Sequence, residues 1–137
     1  MGRILAIDYG TKRIGIAVTD PDQIIATPLD TIENQKIIEF LQHYFLKESV
    51  ELIIVGFPER SDGSRSEIQE KIIKFAKNLK KQFNKEVTLF DERYTSKLAF
   101  QAMIDGGLKR KQRRNKAIID RTSATILLQD YLKTLEA

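Results

Sequence analysis

The chain has 137 residues, 42% of them hydrophobic and 31% charged, with a net charge of +4, which suits one soluble domain, spanning 1–137, with a core of its own. It contains no cysteine, which excludes disulfides, thiolate metal sites and a cysteine nucleophile. The opening MGRILAIDYG interrupts its apolar run with an aspartate, so it reads as neither a secretion signal nor a membrane span, and the cytoplasm is the expected compartment.

RILAIDYG (3–10) and IGIAVTD (14–20) are short β-like runs a few residues apart, which predicts a hairpin. IIATPLDTI (24–32) adds a third antiparallel strand, with Pro28 at an edge or irregularity. NQKIIEFLQHYFLKE (34–48) carries Ile37, Ile38, Leu41 and Phe45 at helical spacing. ELIIVGFP (51–58) is a continuous apolar run, the pattern of a strand buried on both faces. After a polar loop, a long helix is expected near 64–83, opened by a capping box of Ser64 and Glu67. EVTLFDERYT (86–95) reads as a strand, SKLAFQAMIDGG (96–107) as a helix closed by glycines, and 115–135 as a final helix. Three meandering strands followed by alternating helices and strands predict an α/β fold with a mixed sheet and helices on its faces.

Acids at three places in the chain stand out against this frame. Asp8 alternates with Ile4 and Ala6, so it projects from one face at the carboxyl end of the first strand, as a site residue or as a turn former before Gly10. Asp91 and Glu92 end a later strand on opposite faces, so at most one of them can join Asp8; a salt bridge to Arg93 or a lysine is the plainer role. Asp120 falls inside the apolar arc of the last helix, formed by Ala117, Ala124, Leu127, Leu128 and Tyr131. A carboxylate there needs a cation or a metal ion, unless the helix starts at Asp120 and the residue is its N-cap. Acids converging from the first strand, a later strand and the last helix would repel one another unless divalent cations bound them, and Mg2+ or Mn2+ suits such oxygen donors. Two such ions would serve phosphodiester hydrolysis. Residues 109–116, KRKQRRNK, hold six positive charges and no acid, which suits a polyanion. The lone histidine, His43, has a surface or interface position.

LAIDYGTKRIGIAVTD, IIVGFPERSDGSRSE, LFDERYTS and IIDRTSATILLQDYL resemble the YqgF family, also called RuvX, over nearly the whole chain and in the same order. These bacterial proteins are described as Holliday-junction resolvases or as pre-16S rRNA processing nucleases, and the resemblance implies a ribonuclease H-like fold. It also implies that Asp8, Glu92 and Asp120 are the metal ligands and catalytic acids. Where many members read VGLPLxxDGS, this chain reads VGFPERSDGS, which places Glu59 and Arg60 in the loop before Gly63. The expected activity is metal-dependent cleavage of structured RNA (a 16S rRNA precursor) or of branched DNA by a monomer or homodimer, with phosphates held by Lys12, Arg13, Arg93, Lys109, Arg110, Lys111, Arg113, Arg114 and Lys116. The alternative is a non-catalytic RNA- or nucleotide-binding assembly factor, since DYGTKRIG is also similar to the phosphate loop of actin-like ATPases.

Overall fold

The computed structural model describes residues 2–58, 66–91 and 116–136, with side chains from 118 onward in the last segment. Strands β1 (Arg3–Asp8), β2 (Arg13–Thr19) and β3 (Ala26–Glu33) form an antiparallel meander. A single 3-10 turn, Asn34–Lys36, leads into helix α1 (Ile37–Lys47). Strand β4 (Val50–Phe57) runs parallel to β1, helix α2 (Glu67–Phe83) crosses the sheet, and β5 (Glu86–Asp91) runs parallel to β4. Helix α3 (Lys116–Leu135) completes the described structure. The strand order is β3-β2-β1-β4-β5, the mixed five-stranded sheet that the sequence pattern predicts. Among the described residues no helix is long and apolar enough to cross a membrane.

Alternation along the central strands divides the core in two. Leu5, Ile7, Ile14, Ile16, Ile53 and Val55 point to one face, where they meet Ile37 and Leu41 of α1 and Ile72 and Leu79 of α2. Ile4, Ala6, Ala17 and Ile54 point to the other, against Ala124, Leu127 and Leu128 of α3. The second layer is thin because alanines line both sides of it, and this lets α3 lie close to the sheet. β4 is buried on both faces, as its unbroken apolar run predicts: Ile53, Ile54 and Val55 are fully enclosed.

Several expectations shift in detail. The first helix begins at Ile37 rather than at residue 34, because residues 34–36 form the tighter 3-10 turn. The capping box of α2 exists, but two residues beyond the expected Ser64 and Glu67. The Ser66 hydroxyl accepts from the Gln69 amide at 3.4 Å, and the Gln69 side chain accepts from the Ser66 amide at 2.7 Å. Gln69 is chosen because its amide nitrogen also reaches the Pro58 carbonyl at 2.6 Å, tying the helix start to the end of β4. Pro28 lies on the edge strand beside a register shift, where Asp30 faces Ile16 and Pro28 faces Ala17, the edge-and-irregularity position that proline tolerates. The expected helix 96–107 and the loop around Gly63, with Glu59 and Arg60, lie outside the described residues.

Candidate active site

The first acid and the last are brought together by one glycine. Asp8, at the carboxyl end of β1, is the cross-strand partner of Gly15 in β2. Ile4 and Ala6 pack toward α3, so alternation places Asp8 on that same face. Gly15 meets α3 at Asp120: a Cβ added there would overlap the Asp120 carbonyl group and sit 3.0 Å from the amide nitrogen of Arg121. The strand must therefore be bare at this position for the helix to bring Asp120 beside Asp8. Gly15 was not among the candidate residues. A glycine inside a β-branched strand signals a close backbone approach, and that signal would have found it.

Asp120 lies within α3 rather than at its start, so it is not an N-cap. Its side chain is 26% exposed, less buried than the apolar arc suggests, and its cation is an arginine. The Arg13 Nε donates to Asp120 Oδ2 at 3.0 Å, joining groups 107 residues apart in the chain. With Arg13 37% exposed, water screens the pair, and its net worth is about 0.2–1 kcal/mol. Its effect is on placement more than on stability.

Between Asp8 and Arg13 the chain makes a tight turn held from two sides. The Tyr9 ring packs on Phe75 of α2 with centroids 4.9 Å apart. On the other side, Asn34 donates its side-chain nitrogen to the Gly10 carbonyl at 2.7 Å and its backbone amide to the Lys12 carbonyl at 2.8 Å. Gly10 is tight as well, since a Cβ would overlap the Arg13 carbonyl oxygen. Beside the turn lies an open hollow of about 590 Å³ lined by Thr11, Lys12, Arg13, Glu33, Asn34 and Gln35. Two of the expected phosphate-holding cations, Lys12 and Arg13, thus border one cleft next to the carboxylates. Asn34, which fixes the turn, gave no sign of this role in the sequence, because its partners lie across the hairpin.

The remaining candidates divide into three groups. Phe90 packs edge-on against Tyr131 of α3, with centroids 5.5 Å apart, while Asp91 pairs with Phe57, whose ring lies in the opposite core layer. Asp91 therefore faces away from Asp8 and Asp120. Glu92, Arg93, Lys109, Arg110, Lys111, Arg113 and Arg114 lie outside the described residues, as does the side chain of Lys116. His43 is exposed on α1, beside a shallow depression with Ile32, Lys36, Glu39 and Phe40, on the face away from the carboxylates. Among the described residues no three metal-ligating side chains gather in one place.

Comparison with known proteins fits this geometry. Residues 2–134 match the RuvX family, described as Holliday junction resolvase. The chain belongs to the RuvX family. A relative from Flavobacterium psychrophilum is 54% identical over 133 residues, covering 96% of this chain and 97% of the relative, and is named "Putative pre-16S rRNA nuclease". A protein of the same name from Phocaeicola vulgatus is 51% identical over 135 residues, with 98% and 97% covered. Among solved structures, Thermus thermophilus RuvC in complex with a Holliday junction substrate is similar with a TM-score of 0.50 at 14% identity, covering 99% of this chain and 97% of that one. At that identity the likeness speaks for the fold, a ribonuclease H-like sheet with its helices. The RuvX family assignment, the names of the relatives and the fold agree with the nuclease expected from the sequence.

Proposed function

We propose that this RuvX protein is a divalent-metal-dependent endonuclease of the cytoplasm that cuts structured RNA, with the 5′ end of precursor 16S rRNA as its substrate. The observation that carries the reading is the meeting of Asp8 and Asp120 across Gly15, at the carboxyl edge of the parallel strands and beside a cleft with two cations. The donor set fits a hard divalent cation. Carboxylates supply the oxygens such ions prefer, and Asp120 already draws in a positive charge, the Arg13 guanidinium. Asp8, Asp120 and Glu92 would hold Mg2+ or Mn2+, as two ions. Bound there, the ions would activate a water and neutralise charge on the leaving oxygen.

The chain's own residues supply placement. Gly15 sets the helix depth, and Asn34 and Tyr9 fix the turn from which Lys12 and Arg13 reach substrate phosphates. The basic run at 109–116 would extend that contact along the backbone of the nucleic acid. Purified protein with Mg2+, given precursor 16S rRNA and, separately, four-way DNA, tests the proposal. Cleavage of the RNA by the wild type, with retained binding but no cleavage by Asp8→Asn and Asp120→Asn, is the expected result. Cleavage by Asp8→Asn at the wild-type rate would refute the site. The family description favours branched DNA as a second reading, and preferential cleavage of the four-way junction would select it.

A further inference from the structure

The Arg13–Asp120 contact raises a question that the nuclease reading leaves open. A carboxylate meant for a divalent ion has one oxygen engaged by a guanidinium at 3.0 Å. Arg13 enters from β2, whose face toward α3 also carries Gly15 and Ala17, and it is cross-strand partner to Glu33 at the rim of the hollow. It therefore stands between the carboxylates and the cleft, touching Asp120 on one side and open to solvent on the other. Both side chains are partly exposed, so the bond can open without burying an unpaired charge.

We infer that Arg13 is a positioning residue that occupies the cation's place at Asp120 and must give up the carboxylate oxygen before an ion can use it. The inference rests on the metal-binding reading above. In the metal-free protein the guanidinium offsets the charge of Asp120 and holds its carboxylate in one orientation. When an ion binds, the same positive charge becomes an unfavourable neighbour, and the freed guanidinium is left at the mouth of the hollow beside Lys12. Arg13 thus lowers metal affinity while keeping the empty site in shape, the opposite of what a purely structural residue would do.

Calorimetric titration of Mn2+ into the full-length protein without substrate tests this. Arg13→Gln should bind Mn2+ on the order of ten-fold more tightly than wild type, the size expected for removing one charge a few ångströms from a divalent ion in a water-like dielectric. Its thermal midpoint in chelator should be lower than wild type, and Arg13→Lys, which keeps the charge, should restore the wild-type affinity. In an Asp120→Asn background, the tightening by Arg13→Gln should be clearly smaller, because the competition for that carboxylate is gone and only the through-space repulsion remains. Unchanged or weaker Mn2+ binding by Arg13→Gln, or equal tightening in the Asp120→Asn background, overturns the inference. The Asp8→Asn variant separates the two levels of the argument: if it loses Mn2+ binding while Arg13→Gln gains nothing, only the role of Arg13 falls. If it binds Mn2+ as the wild type does, the metal site falls and the inference with it.

Discussion

Replacing Gly15 by alanine is the sharpest test of how the site is built. The new Cβ would overlap the carbonyl group of Asp120, whereas ordinary contact begins at 3.4 Å, so strand and helix must separate by on the order of 1 Å. Neither partner is a flexible side chain; both are backbone in regular elements. Overpacking of this kind costs about 1–3 kcal/mol, which for a chain of this size lowers the thermal midpoint by roughly 4–12 °C. The same displacement moves Asp120 from Asp8, and a misplacement near 1 Å costs on the order of 100-fold in rate. Cleavage of structured RNA in Mg2+, measured well below the variant's melting point, should fall by about that factor. Ile72→Val, on the opposite face of the sheet and worth about 0.5–1.5 kcal/mol, should leave the rate unchanged. If Gly15→Ala retained both rate and melting point, or if Ile72→Val lost activity to the same degree, the glycine would not be what seats the helix.

Three further outcomes are expected. Gln69→Leu removes both the capping contact and the bond to the Pro58 carbonyl, so urea melts should show a loss of about 2–3 kcal/mol, against about 1 kcal/mol for Ser66→Ala; equal losses would deny Gln69 its link to β4. The backbone amides of Ile25 and then Ile24 hold the Asp20 carboxyl below the usual carboxylate range. A depressed folded pKa gives stability that is present above the unfolded value and lost as pH falls through the folded one, so Asp20→Asn should flatten the acid limb of the stability profile. An ordinary NMR titration midpoint for Asp20 would refute this. Asn84 ends α2 with φ 52°, in the left-handed region. There Asn84→Gly should hold or raise the melting point, and Asn84→Val should cost about 1–2 kcal/mol; equal behaviour of the two variants would contradict the conformation.

The sheet was legible because its signals are local. Alternation in β1 and β2 and the unbroken run of β4 each state which faces are covered, and the order of elements then leaves little choice of topology. The start of α2 was misread by two residues because Ser64 with Glu67 and Ser66 with Gln69 both satisfy the pattern of a helix start. What decides between them is the Pro58 carbonyl, which only the folded chain brings near. Asp120 was legible as an acid in an apolar arc, and the sequence demanded a cation for it. That the cation is Arg13 was not legible, since period and propensity say nothing about residues 107 positions apart. Alternation allowed one of Asp91 and Glu92 to share a face with Asp8; the packing of Phe90 against α3 removes Asp91.

The distance in sequence between Arg13 and Asp120 has a consequence for when the molecule can act. Helix α3 rests on the sheet through an apolar seam of Ala124, Leu127 and Leu128, flanked by Tyr131 and Leu132. If that seam opens, Asp120 leaves the strand pair that carries Asp8, and at the proposed site no water could then be set up for attack. A nuclease assembled this way would be silent as a folding intermediate or a damaged chain. On the proposed site, its cutting power would exist only in the finished protein, which would spare other nucleic acid from half-made copies.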